Sequence, residues 1–581
     1  MDYGDKMRKK TQRSYGKFFK PKSLMVCFFF FLFILLFLSS ESSFITGGSF
    51  RPVIKVPSLS LFPSRLIRDA YRVSLPRLSI EARVLFPDDL LIILPRKIHS
   101  SEDIVCVYRI LNNSGFRDSK SDVEGEFVMP SISVDDYQEE KSIVRCPLPP
   151  ANCSATVELC RMADRSVPVS DKLKSNWMDA RVPSWDQLVY EAMLDGNTVV
   201  VFVKGLNLRP HVESNPRLFR CHFRLNSFDK EDEGYVVSTK AMSASQEVIR
   251  CLLPRSIQTN PEKAVGIRVT VSRNLNQFLP SAAKIYDPKL INPRRGRKYE
   301  LCGCTMLWNQ ASFLREWIIY HGWLGVERWF IYDNNSDDEI KEVIDELNLQ
   351  NHNITRHVWP WIKTQEAGFS HCAMRARQDC NWVAFFDVDE FFFFPRRRGQ
   401  RLSAQNSLKK LVADYSKSLT IGEIRTVCHS YGPSGLSLAP PQGVMAGYTC
   451  RLHAPERHKS IVRTEFMDTT LLNAVHHFRL RQGYRYLNLP EITAVVNHYK
   501  YQAWETFKSK FFRRVSTYVV NWQDDENQGS KDRAPGLGTS AIEPPDWRFR
   551  FCEVWDTRLK DFISASFSDV ATQTFPWQRT G

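Results

Sequence analysis

Between residues 302 and 386 short apolar runs alternate with stretches of helical periodicity, and this alternation constrains the fold more than any other feature. Cys302 to Trp308 reads as a strand and Ala311 to His321 as a helix burying Phe313, Trp317 and Tyr320. Val326 to Tyr332 is a second strand, after which Ser336-Asp337-Asp338-Glu339 has the form of a capping box for a helix running through Leu347. Ile354 to Trp359, Glu366 to Asp379 and Trp382 to Phe386 continue as strand, helix and strand. Four strands separated by three helices predict an α/β fold on a parallel sheet. Such a sheet binds ligands beyond the carboxyl ends of its strands.

That edge carries the chemistry. Asp387-Val388-Asp389-Glu390 follows the fourth strand directly, and two aspartates separated by one residue project to the same side of an extended backbone. Paired carboxylates at such an edge can hold a hard divalent ion and leave coordination positions for phosphate oxygens. Surface acids also recur by chance, so the apolar strand before them is what makes them a candidate site. Asp333 ends the second strand, where it can face a ribose or simply form a turn. His498 follows an apolar segment and can supply a nitrogen ligand; His476 and His477 compete for that role. Lys459, Lys508 and Arg513 can balance diphosphate charge, and Glu456 is a candidate general base. Trp359, Trp361 and Trp504 can stack on sugars or fill the core.

The rest of the chain sets the context. Leu24 to Leu38 is an unbroken apolar run preceded by eight Lys and Arg residues, which predicts a membrane anchor over 23–40, a cytosolic tail over 1–22 and a lumenal body. Residues 41–95 read as a Ser- and Pro-rich stem. From 96 to 290 short β-branched runs, among them Asp103 to Arg109, Thr198 to Val203, Phe219 to Arg224 and Ala264 to Val271, predict a β-sandwich-like accessory domain, either a spacer or a carbohydrate-binding module. The net charge is +15, but its bases are scattered and no nucleic-acid motif appears. Setting aside Cys27 in the apolar run, thirteen cysteines suit an oxidising lumen, with at least one left over. Acceptor sequons at Asn112, Asn152, Asn334 and Asn353 agree with that placement.

Trp308-Asn-Gln-Ala-Ser-Phe-Leu-Arg-Glu-Trp317, Tyr320-His-Gly-Trp-Leu-Gly-Val-Glu-Arg328, Phe330-Ile-Tyr-Asp-Asn-Asn-Ser-Asp337, Trp382-Val-Ala-Phe-Phe-Asp-Val-Asp-Glu-Phe391, His458-Lys-Ser-Ile-Val462 and Asn497-His-Tyr499 resemble, in order, the plant branch of glycosyltransferase family 92, which includes pectic β-1,4-galactan synthases. The resemblance covers residues 299–555 and leaves 556–581 as a tail. It implies a GT-A (Rossmann-like) catalytic fold, a uridine diphosphate sugar donor, galactose in the galactan synthases, Mn²⁺ as metal and inversion at the anomeric carbon. By motif, Asp387 and Asp389 would contact the donor ribose and the metal, His498 would complete the metal site, and Asn309, Glu316, Asp333 and Lys459 would line the nucleotide-sugar site. Gln310 stands where the family has Glu after Asn309. The expected protein is a single-pass Golgi membrane enzyme acting on a cell-wall or other glycan. The alternative is a carbohydrate-binding scaffold with a degenerate transferase domain.

Overall fold

The computed structural model describes residues 77–578 except 99–102, 111–125, 139, 151–152, 162–181, 210–211, 225–236, 274–276, 292–296, 396–404, 475 and 519–542. All of them fall within one compact unit, Leu59–Gly581.

The first half is β-structure in three sheets. Ala82–Leu85, Asp89–Leu94, Lys141–Pro147 and Ser133–Tyr137 pair in that order as an antiparallel sheet, and Glu126–Pro130, Ile104–Ile110 and Cys153–Arg161 form a second. A larger sheet runs from Gln277–Phe278 through Arg268–Arg273, Phe219–Arg224, Val237–Ser245, Val248–Leu252, Thr198–Val203 and Val189–Asp195 to Ile285–Tyr286. Thr198–Val203 is buried at every residue, as a continuous β-branched run requires.

In the second half, strands and helices are numbered from its first strand. The expected alternation is present: β1 (Tyr299–Leu307), α1 (Ala311–Trp323), β2 (Arg328–Asp333), α2 (Ile340–Leu349), β3 (Ile354–Val358), α3 (Gln365–Asp379) and β4 (Cys380–Phe385). These four strands are parallel in the order β3-β2-β1-β4. The chain then continues through β5 (Glu390–Phe393), α4 (Ser407–Ser416), β6 (Ile421–Ser430), β7 (Arg457–Arg463), β8 (Arg485–Asn488), β9 (Val495–His498), α5 (Trp504–Tyr518) and α6 (Arg558–Phe567). They extend the sheet as β4-β7-β6-β9-β5, with β8 beside β6.

The expected fold class needs correction. Strand predominates over helix across the described residues, and the second-half sheet is mixed, because β7 joins β4 antiparallel and β5 joins β9 antiparallel. The regular strand–helix alternation ends at β4; after it α4 is the one helix of comparable length between the remaining strands of the sheet among the described residues, and those strands carry polar residues inward. Among the described residues no helix is long and apolar enough to cross a membrane, and the run expected to do so at 23–40 lies outside them. The capping box does not form as expected: Glu339, the residue before α2, makes no side-chain cap there, and Asp338 accepts the N–H of Ala311 at 2.8 Å, at the start of α1.

One apolar cluster joins the two halves, with Phe86, Tyr190 and Phe202 packed among Trp359, Trp361 and Phe369. A second holds the helices α1, α2, α4 and α6 on the other side of the sheet and includes Phe575 and Trp577. Trp359, Trp361 and Trp504 are all buried, which makes them core rather than sugar platforms. Among the described residues five disulfides form, including Cys302–Cys380 between β1 and β4 and Cys304–Cys372 between β1 and α3. Two of the sequons are engaged internally: the Asn334 amide donates to the Trp359 carbonyl at 2.7 Å and that of Asn353 to the Tyr299 hydroxyl at 2.7 Å. Asn112 and Asn152 lie outside the described residues.

Candidate active site

Strand register assembles the site. Glu390 at the start of β5 opposes His498 at the end of β9, and Ser430 on β6 flanks His498 on its other side. Residues opposite one another in a ladder share a face. Glu390, His498, Ser430 and, two residues earlier on β6, Cys428 therefore project together. Lys459 on β7 opposes Thr426 of β6, so its side chain arrives on the same face. Asp387 and Asp389 occupy the short turn from β4 into β5.

The charges interlock. Lys459 Nζ lies 2.6 Å from Glu390 Oε1 and 3.3 Å from Asp387 Oδ2. His476 Nε2 is 3.4 Å from the same Asp387 oxygen. Asp389 Oδ2 is 3.1 Å from Lys510 Nζ on α5 and 3.6 Å from His498 Nε2, while His498 Nδ1 is 3.7 Å from Glu390 Oε1. Burial alone would raise the pKa of Asp387, but Lys459 and His476 outweigh it and hold the carboxyl well below its ordinary range. Burial likewise opposes ionisation of Asp389, and Lys510 and His498 overcome it. For Lys459, desolvation by burial favours the neutral form, and Asp387 and Glu390 reverse that, leaving it firmly cationic. Both aspartates are therefore acceptor-only carboxylates at neutral pH.

Beside them lies a cavity of about 620 Å³ lined by Asn309, Phe313, Glu316, Tyr448, Lys510 and Trp577 among others. Lys510 borders both the cavity and Asp389, so the two adjoin. A cleft of that size holds a ligand of nucleotide-sugar dimensions.

The family model for glycosyltransferase family 92 matches residues 297–533. A family 92 protein of Ricinus communis is 61% identical over 99% of this chain and 99% of its own length. The chain belongs to glycosyltransferase family 92. A family 92 protein of Arabidopsis thaliana is 52% identical over 99% of this chain and 98% of its own. A galactan β-1,4-galactosyltransferase of Arabidopsis thaliana is more distant, 27% identical over 38% of this chain and 47% of its own. A mannosyltransferase structure from Pyrobaculum calidifontis is 11% identical, covers 40% of this chain and 66% of its own, and has a TM-score of 0.25, a likeness too slight to argue from.

In this family 92 glycosyltransferase, Asp387, Asp389, Lys459 and His498 come together. Glu456 stands at the His498 end: it accepts from the Ser430 hydroxyl and from Lys500 Nζ at 3.2 Å. Burial would raise its pKa, and those two partners bring it below the ordinary value. The other expected residues are engaged elsewhere. Asp333 is 1% exposed, accepts from Ser336 N–H at 2.9 Å and pairs with Arg356, which also pairs with Asp135 of the first-half sheets. Asn309, at φ 50°, accepts the Asp337 N–H at 2.9 Å while lining the cavity. Glu316 accepts the N–H groups of Val444 at 2.8 Å and Met445 at 2.9 Å. His477 pairs with Glu423 at 2.6 Å, leaving His476 as the histidine beside Asp387. Lys510 and the positioning role of Glu390 were not foreseen. The one available signal for Lys510 was its place between Phe507 and Phe511, on the buried side of α5.

Proposed function

We propose that this glycosyltransferase moves a hexose, galactose in the first instance, from a uridine diphosphate sugar to a glycan acceptor, inverting the anomeric carbon. The convergence of Asp387, Asp389 and His498 carries this reading, since two ionised carboxylates and an imidazole at one edge suit a divalent ion. Mn²⁺ fits that donor set, with Asp389 and His498 as its ligands and Asp387 turned to the donor ribose. When bound, such an ion supplies Lewis-acid stabilisation of the departing diphosphate. Lys459 and Lys510 add fixed positive charge on either side of the pair, where the pyrophosphate is to rest. Glu456, ionised and near His498, is placed to take the proton of the acceptor hydroxyl as that oxygen attacks. The cavity beside Lys510 receives the rest of the donor. The lumen of the Golgi is the proposed location, in keeping with five disulfides.

The test is a panel of uridine diphosphate sugars with Mn²⁺ and a glycan acceptor array. Transfer from the galactose donor, with an inverted linkage in the product and loss on chelation, is the expected result. Transfer undiminished by chelation, or a product that retains the anomeric configuration, overturns the reading.

A further inference from the structure

The face that carries His498 holds a second group of potential ligands. Glu390, Cys428 and His498 each offer one ligand atom, and these atoms all lie within 4.8 Å of one another. Three strands bring them together: β5, β6 and β9. Cys428 is a buried free thiol and Glu390 is fully buried. The Glu390 carboxylate is already split in function, because Oε2 accepts the Asp387 N–H at 2.9 Å while Oε1 points toward His498 Nδ1 at 3.7 Å. His498 is split as well, with Nε2 toward Asp389 and Nδ1 toward Glu390.

We propose that Glu390, Cys428 and His498 form a soft-metal site for Zn²⁺, distinct from the Asp387–Asp389 edge and antagonistic to it through their shared histidine. One sulfur, one nitrogen and one oxygen donor with an open fourth position make a zinc set. A thiolate selects against Mn²⁺, which is harder and lies at the weak end of the divalent affinity order. As the metal–sulfur bond forms, the Cys428 proton leaves to solvent. Ligand separations in tetrahedral zinc are shorter than 4.8 Å by roughly 1 Å. Side-chain rotation toward a common centre supplies that closure. Lys459 competes for Glu390 Oε1, so the ion enters by displacing that ammonium contact. With Nδ1 occupied, the imidazole is fixed and bears added positive charge, so Nε2 is a poorer partner for an ion on Asp389.

The binding claim stands on this geometry alone; the antagonism rests on the transferase reading above. The purified full chain is titrated with Co²⁺ as an optical stand-in for zinc. A near-ultraviolet thiolate-to-cobalt charge-transfer band is expected, removed by Zn²⁺, absent in Cys428→Ser and Cys428→Ala and retained in Asp387→Asn. Absence of the band in the unmutated protein, or its survival in both Cys428 variants, overturns the site. Melting curves confirm that the variants are folded; where serine unfolds the chain, alanine decides. In the second arm Zn²⁺ is added to Mn²⁺-supported transfer. Inhibition is expected, with at least tenfold more Zn²⁺ needed in the Cys428 variants, and equal inhibition in all forms overturns the antagonism. If no donor is turned over, the functional reading fails, and the cobalt arm still decides the site.

Discussion

Glu390 and Asp387 bond each other reciprocally: the Glu390 carboxylate accepts the Asp387 N–H at 2.9 Å, and the Glu390 N–H donates to the Asp387 carbonyl at 3.1 Å. The acid that follows the two aspartates thus closes the turn that aims them, and it also neutralises Lys459, itself only 5% exposed. Glu390→Ala leaves that ammonium with Asp387 as its remaining counter-charge. Removing one member of a buried pair destabilises by about 3 kcal/mol or more. Denaturant unfolding of Glu390→Ala should show a loss of that order, with Glu390→Gln intermediate.

Asp389→Ala removes the carboxylate that Lys510 and His498 both face. Loss of one group that stabilises developing charge lowers kcat on the order of a hundredfold or more. Transfer assays should show that drop without a comparable fall in melting temperature.

Gly443 has φ 103°, and an added Cβ would stand 2.5 Å from Glu316 Oε1. Both the left-handed backbone and the contact disfavour a side chain there, and the Val444 and Met445 N–H groups depend on that same carboxylate. Gly443→Ala should destabilise by about 2 kcal/mol or more. Glu316→Ala, by stranding two buried donors, should do so by a similar amount, and thermal melts of the two variants check both.

Glu191 is fully buried and accepts from Tyr137, Gln138 and, at 3.3 Å, Trp361 Nε1, tying the first-half sheets to the loop after β3. Burial pushes its pKa up to about 7 against the partial relief of those hydrogen bonds. A carboxyl raised in the folded state binds its proton more tightly there than in the unfolded chain. Its contribution is full below about pH 4.5 and is lost as pH rises through about 7. That is about 3 kcal/mol across the window. Unfolding free energy measured from pH 4.5 to 8 should fall less steeply in Glu191→Gln.

Cys302–Cys380 spans 78 residues of sequence and staples the neighbouring parallel strands β1 and β4. Opening a loop of that length costs about 4 kcal/mol in the chain-entropy view. The double replacement by alanine should lose much of this in denaturant unfolding.

What the sequence disclosed and what it hid divide along a physical line. β2 is buried at all six residues and β4 at five of its six, so their apolar runs were legible, and the aspartates that follow β4 stood out against its run. β7 was harder, because Lys459 and Ser460 turn inward toward other polar groups, and an inward lysine breaks the pattern a buried strand normally shows. Asp333 ends β2 as its position indicated. Its engagement by Arg356, which is itself shared with Asp135, depended on parallel register and on a strand some 200 residues earlier, which periodicity does not encode. His476 and Lys510 reach the aspartates from remote segments; the sequence offered His476 only as one of three competing histidines and Lys510 only as a lysine on the buried side of a helix, and the fold was needed to set them against Asp387 and Asp389. The membrane run and two of the sequons concern residues outside those described, and the other two sequons spend their amides on internal bonds.

Leu559, Phe562, Ile563, Phe575 and Trp577 sit in the same apolar cluster as Trp317 and Phe386. During synthesis that layer stays incomplete until residues 559–577 have cleared the ribosome exit tunnel, more than 200 residues after Trp317 has emerged. Until then the apolar face built around Trp317 and Phe386 lies open to self-association and must be shielded, and truncation before Leu559 would leave it open for good.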